Sequence, residues 1–313
     1  MDRFKNILFV AEGSAGDKAA LAKTLELVRL NKAKLTVMAI VAEMASSSYL
    51  LSIQKATFSL QQRLIRDRTR ELEQLFRVVA GRRKQVKPSF VVTSGKDYIE
   101  VNGAVLKNNY DLVIKAASSK SKWSNILFGS LDLQLLRKCP CPVWIIKPRK
   151  KIRHSRILAA VDIAPEEKPS LALNKTIMEL ASSLSRLEQG DLHVINAWFL
   201  PEEAWLRSKQ LSQYKSVNSL VRECRAMHKK NLEKLLSGFS SFSPQVHLIK
   251  GEPDSVIPRF VNNHGIDLLV MGTLARTGVA GIFMGNTAEK ILNSVHCSVL
   301  AIKPEGFRPP IQI

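Results

Sequence analysis

The chain has few cysteines, few aromatic residues and no long uncharged apolar run. Four cysteines occur in 313 residues: Cys139, Cys141, Cys224 and Cys297. They are too few and too unevenly spaced for the disulfide framework of a small secreted domain. Cys139-Pro140-Cys141 has no second Cys or His pair nearby to complete a metal site, so these thiols read as small buried apolar residues. No stretch approaches the ~18 uncharged apolar residues of a membrane span. The opening MDRFKNILFVAEG lacks an h-region and a small-residue cleavage site, so a cytoplasmic protein is expected. Catalytic signatures are missing too. No G-x-x-x-x-G-K-[S/T] occurs, which excludes a P-loop nucleotide hydrolase, and neither HExxH nor G-x-S-x-G is found. The six histidines are scattered without ligand spacing.

Basic charge is abundant. The net charge is +20. Residues 1–150 hold 27 Lys and Arg against 12 Asp and Glu, a net +15, while residues 151–313 hold 20 against 15, a net +5. Such an excess favours an anionic partner: nucleic acid, acidic lipid or acidic protein. Aromatics are not interleaved with the basic residues, so a solvated, self-repelling surface explains the charge equally well. Residues 59–87 have the pattern of a basic amphipathic helix ending in an RRK cluster. Trp198, Phe199, Trp205 and Leu206 gather aromatics in the second half. Together these could hold an acidic lipid or a hydrophobic ligand; the plainer reading is a solvated helix face and a partly buried lid.

An internal repeat sets the architecture. Residues 111–148 align without gaps to 267–304, with ten of 38 positions identical. Among the identities are Asp111/Asp267, Gly129/Gly285, Cys141/Cys297 and Lys147/Lys303. The same offset pairs Gly95 with Gly251, and FKNILFVAE (4–12) matches HSRILAAVD (154–162). The chain is therefore expected to hold two copies of one domain, 1–150 and 151–313, joined at the basic linker Pro148-Arg149-Lys150-Lys151. In the second copy, 156–162, 191–198, 245–251, 267–272 and 298–304 have strand patterns. Helical periodicity covers 168–187, 203–236, 253–263 and 287–294. Strands alternating with helices imply a parallel sheet with right-handed crossovers, hence an α/β fold.

ILAAVD at a domain start, DLLVMGT, a Gly-rich loop, GNTAEKIL and CSVLAIKP together resemble the universal stress protein family. The resemblance covers both halves and looks closest to the tandem, two-domain type. It implies two flavodoxin-like (Rossmann-like) domains, each a five-stranded parallel sheet of order 3-2-1-4-5 with helices on both faces. Nucleotide-binding members carry G-x-x-G-x9-G-[S/T/N] after strand four. In this sequence the motif falls on Gly272, Ala275, Gly285 and Asn286, with alanine where the middle glycine is expected. The implied site comprises Asp162, Gly272, Ala275, Arg276, Gly285, Asn286 and Thr287. Asp162 and Gly272 would face one crevice at the carboxyl ends of strands one and four, where the strand order reverses. Gly285 and Asn286 would open a helix whose free N–H groups favour an anion. Asn286-Thr-Ala-Glu289 equally has the form of a capping box that needs no ligand. An Ala275 methyl against a phosphate-hugging backbone would cost about 1 kcal/mol if the glycine φ were positive.

The first copy departs further. Ala116 and Ser119 replace the two leading glycines, Gly129 and Ser130 remain, and Glu12 stands for Asp162. Its loop brings Lys120 and Lys122, with Lys115 beside it, so either a charge-held anion site or a copy without nucleotide is expected there. The resemblance then implies a cytoplasmic stress-response protein, a non-enzymatic sensor with weak ATP or adenine-nucleotide binding in the second domain. No metal is implied beyond nucleotide-associated Mg. Family members pair domains through their last strands, so VWIIK (143–147) and VLAIK (299–303) are expected to form an intramolecular pseudo-dimer. The alternatives are a binder of anionic or lipid partners through the basic first half and an expected interdomain, apolar pocket, and a slow ATP hydrolase.

Overall fold

The computed structural model describes residues 4–44, 51–81, 86–118, 128–147, 155–163, 168–208, 216–273 and 284–307. The chain divides into two compact units, between Ile152 and Arg153. Unit 1 runs β1 (Asn6–Val10), α1 (Asp17–Asn31), β2 (Lys34–Val41), α2 (Leu51–Ala80), β3 (Ser89–Ser94), α3 (Asp97–Asn108), β4 (Leu112–Ala116), α4 (Ser130–Lys138) and β5 (Val143–Ile146). Unit 2 runs β6 (Arg156–Ala160), α5 (Lys168–Glu188), β7 (Asp191–Trp198), α6 (Glu203–Ser208), α7 (Val217–Leu236), β8 (Gln245–Lys250), α8 (Pro253–Asn263), β9 (Leu268–Gly272), α9 (Asn286–Ser294) and β10 (Ser298–Ile302).

Every pairing within the units is parallel. In unit 1, β1 lies between β2 and β4, β3 flanks β2, and β5 flanks β4. In unit 2, β6 lies between β7 and β9, β8 flanks β7, and β10 flanks β9. The strand order therefore reverses beside β1 and β6. Helices cover both faces, so several strands are near-continuous apolar runs: NILFV, LVIKA, VWII and SVLAI are almost wholly buried. The outer β3 alternates in exposure instead.

Two of the repeated identities prove architectural. Asp111 accepts hydrogen bonds from the backbone N–H of Asn6, and Asp267 from those of Ser155 and Arg156. Each aspartate ties the entry of the fourth strand to the start of the first. Gly95 and Gly251 have φ of +149° and +140° and donate to the Val41 and Trp198 carbonyls. A Cβ at Gly251 would lie 2.8 Å from Val256, so the turn into α8 needs glycine for conformation and for space.

Two expectations need correcting. The helix expected over 203–236 breaks into α6 and α7, with 209–215 outside the described residues. The basic helix expected over 59–87 starts earlier and ends at Ala80, and the RRK cluster lies outside the described residues. Among the described residues, no helix is long and apolar enough to cross a membrane.

Candidate functional site

In unit 2 the parallel register Ala160↔Met271 sets the residues after β6 and β9 side by side at one sheet edge. Asp162 is exposed there, two residues beyond β6. Gly285 N–H donates to the Thr273 carbonyl at 3.0 Å, which holds the start of α9 against the end of β9. Asp162, Gly272, Gly285, Asn286 and Thr287 thus reach the same edge, while Ala275 and Arg276 lie outside the described residues. Gly285 is the N-cap, which has no side chain to cap the helix, and Asn286 is the first helical residue. The capping box expected from Asn286 and Glu289 is therefore not formed: Asn286 sits one position too late to serve as cap. Beside Gly272, a Cβ would lie 2.7 Å from a Leu173 methyl, so α5 packs directly on that glycine.

A buried polar frame fixes the backbone next to Asp162. Asn174, on α5, accepts from the Asp162 N–H at 3.0 Å and donates to its carbonyl at 2.6 Å. Asn196 donates to the Val161 carbonyl and meets His228 Nδ1 at 2.9 Å, and Asn231 donates to the Ile163 carbonyl. Sequence reasoning missed all four. The visible signal was an asparagine inside the apolar strand DLHVINAW and another on the apolar face of α5.

The corresponding edge of unit 1 is filled by its own charges. Lys115, inside β4, is fully buried. Its Nζ lies 2.6 Å from Asp132 Oδ1, 2.7 Å from Glu12 Oε2 and 2.6 Å from Ser118 Oγ, and donates to the Ala116 carbonyl. The second Asp132 oxygen accepts from Ser118 N–H at 2.8 Å and Gly129 N–H at 2.9 Å. Asp132 is the third residue of α4 and so caps the helix that a phosphate would approach. Ser119, Lys120 and Lys122 lie outside the described residues. Of the two alternatives for this copy, the charge-held anion site does not have Lys115 at its disposal, because Lys115 is the centre of an internal ion-pair cluster.

A model of the universal stress protein family matches residues 3–147 and again 154–303. The chain belongs to the universal stress protein family. It carries two such domains in tandem. Universal stress protein E of Photorhabdus laumondii is 28% identical over 318 residues, spanning 100% of this chain and 99% of the relative. A universal stress protein E homolog of Haemophilus influenzae is 28% identical over 96% of this chain and 98% of its own. Two solved structures share the fold: a protein of unknown function from Pseudomonas aeruginosa, with TM-score 0.70, 22% identity and coverage of 97% of this chain and 94% of that one, and a universal stress protein from Archaeoglobus fulgidus, with TM-score 0.61, 15% identity and coverage of 95% and 98%.

Outside the crevices, this universal stress protein gathers groups that looked scattered in sequence. His193 Nδ1 and His247 Nε2 meet at 3.2 Å, and His264 stacks on Phe260, which also touches both other rings. Burial pushes the His193 and His247 pKa values down. Among the described residues, no group of three or more His, Cys, Asp or Glu is placed to hold a metal ion. Cys139 and Cys141 are buried with sulfurs 3.7 Å apart. The Cys139 contact, then burial, pushes the Cys141 pKa well above the usual thiol range, away from thiolate chemistry. Trp198 is buried, whereas Phe199 and Trp205 stand out from the surface.

Proposed function

We propose that this protein is a non-enzymatic stress sensor whose unit 2 crevice binds an adenine nucleotide weakly. The observation that carries the reading is the contrast between the two helix starts. In α4 the carboxylate of Asp132 accepts from the N-cap amide of Gly129; at the aligned position in α9 stands Ala288, and the Gly285 amide donates to the Thr273 carbonyl instead. A helix start without an acid at its third residue leaves the following N–H groups and the positive end of the helix dipole to an anion. Asp162, held by Asn174, would accept hydrogen bonds from the ribose or adenine edge. Any Mg would arrive with the nucleotide, since among the described residues no group of three or more His, Cys, Asp or Glu is placed to hold a metal ion. Titration with ATP, read by calorimetry, tests this. Saturable binding that an Asp162→Ala, Gly285→Ala variant weakens tenfold or more supports it. No heat of binding in the intact protein, and no nucleotide carried through purification, overturns it.

A second reading rests on a cleft of about 860 Å³ at the amino ends of β1, β2 and β3. Arg29, Lys32, Lys34 and Lys87 line it around Leu35 and Tyr110. The C-terminal end of α1 supplies only about half a negative charge against four positive ones. This face suits a polyanion. Duplex DNA and anionic vesicles, each titrated across a salt series, distinguish the partners. A Lys32→Glu, Lys34→Glu variant should lower affinity and flatten the salt slope by about two. Absent or salt-insensitive association overturns this reading.

A further inference from the structure

Unit 1 has the helix start and the strand ends of a phosphate site, yet among the described residues the two amides that converge there are already taken. Two backbone N–H groups, Ser118 and Gly129, converge on a single carboxylate oxygen of Asp132. A buried lysine holds the other oxygen. Two amides and one cation around an oxyanion make the donor set that a phosphoryl group would use. Both Lys115 and Asp132 side chains are 0% exposed. The neighbouring helix shows the same pattern: Asp17, buried at the start of α1, accepts from the N–H groups of Gly13 and Ser14. Arg68 reaches across from α2 to the Ala11 carbonyl at 3.1 Å.

We infer that unit 1 carries its own anion: the Asp132 carboxylate, with Lys115 as counter-ion, occupies the place of a ligand phosphoryl group and closes that crevice to phosphorylated molecules. The charge balance agrees. Lys115 faces both Asp132 and Glu12, two carboxylates against one ammonium, so this cluster has no spare positive charge for an incoming phosphate. The repeat gives an internal comparison. The positions aligned with Lys115 and Asp132 in unit 2 are Met271 and Ala288, so the lock is missing there as a pair. Removing Lys115 alone would leave the buried Asp132 without its cation, and removing Asp132 alone would leave Lys115 with only the partly exposed Glu12; either is destabilising, whereas exchanging both for apolar residues is tolerated. The two units therefore have different roles: unit 1 is a closed copy, and any small-molecule response belongs to unit 2.

The test is chemical rescue in the full-length protein. Lys115→Met and Asp132→Ala each lower Tm by about 10 °C, while the double variant, which carries the unit 2 residues, stays within a few degrees of the parent. Formate or inorganic phosphate then raises the Tm of Asp132→Ala, because two amides and Lys115 Nζ await an anion. In each salt the rise of Asp132→Ala over chloride at equal ionic strength exceeds that of the parent and of the double variant, which share any general stabilisation by phosphate. If Asp132→Ala does not fold in chloride, refolding yield in formate, phosphate and chloride replaces Tm. Recovery in the first two alone supports the inference. Equal response of Asp132→Ala and the parent to these anions, or single variants as stable as the double, overturns it. The series repeated in an Asp162→Ala background keeps the outcome separate from the unit 2 reading, because the unit 1 rescue does not depend on whether unit 2 binds nucleotide.

Discussion

Lys115 interrupts the apolar run LVIKA, and its burial is sustained only because two carboxylates and a hydroxyl surround its ammonium group. The lysine was visible in the sequence; its meaning was not. Its main partner lies 17 residues further on, at a helix position that pattern reading treats as an ordinary first-turn acid. Asp162 and Asn174 illustrate the same limit, since a side chain that bonds both the N–H and the carbonyl of a residue 12 positions away leaves no periodic trace. Asn102 is the opposite case: it is fully buried in α3, and neither its Nδ2 nor its Oδ1 has a hydrogen-bond partner. Leaving a buried amide unmatched costs more than replacing it with an apolar group of similar size. Asn102→Leu should therefore stabilise unit 1 by about 1 kcal/mol, raising Tm by roughly 2–4 °C. A thermal scan showing a lower Tm would mean that the amide is satisfied by a group bound there.

At the scale of elements, the strands and most helices were legible because each signals its own period. The helices of the second copy that sequence placed at 168–187, 253–263 and 287–294 match α5, α8 and α9 closely. The break between α6 and α7 was not legible, since Glu203–Leu236 keeps a helical polar-apolar pattern throughout. The start of α9 was misjudged by one residue, which turns Asn286 from a cap into the first helical position and changes what the helix offers an anion. The glycine that turns β8 into α8 gives a quantitative check. Gly251→Ala forces a Cβ into φ of +140° and against Val256 at 2.8 Å. It should cost about 1 kcal/mol or more in urea unfolding. Gly238→Ala is the control, because a Cβ there meets nothing within 4 Å. Equal effects at the two sites would remove the conformational explanation for the repeated Gly95/Gly251 pair.

Across the whole chain, duplication has produced two units with different chemistry, and titratable groups show this most directly. All six histidines lie in residues 151–313. His193 and His247 share one hydrogen bond, and burial lowers both pKa values. Asp191 partly counters the shift on His193, His264 and Arg156 add to it, and His193 and His264 add to that on His247. With folded-state values below the ordinary value of about 6.5, the unfolded chain takes up protons first. The contribution of these histidines is complete above pH 6.5 and is lost as pH falls through the lowered folded values. Unit 1 has no such group. There Asp111 has a pKa raised by burial against the opposing pull of backbone N–H groups, so unit 1 loses no stability through it as pH falls. Moving from pH 7.5 to 5.5 should thus loosen β7, β8 and α8 while leaving unit 1 unchanged. Hydrogen exchange read by mass spectrometry, corrected for the intrinsic pH dependence of amide exchange, separates the units. His193→Phe should reduce the acid response of unit 2, and His193→Phe with His247→Phe should abolish it, since aromatic rings are kept and the proton sites are not. Loosening at pH 5.5 that is shared equally by β1–β4 would show that the acid response has another origin than the His193–His247 pair.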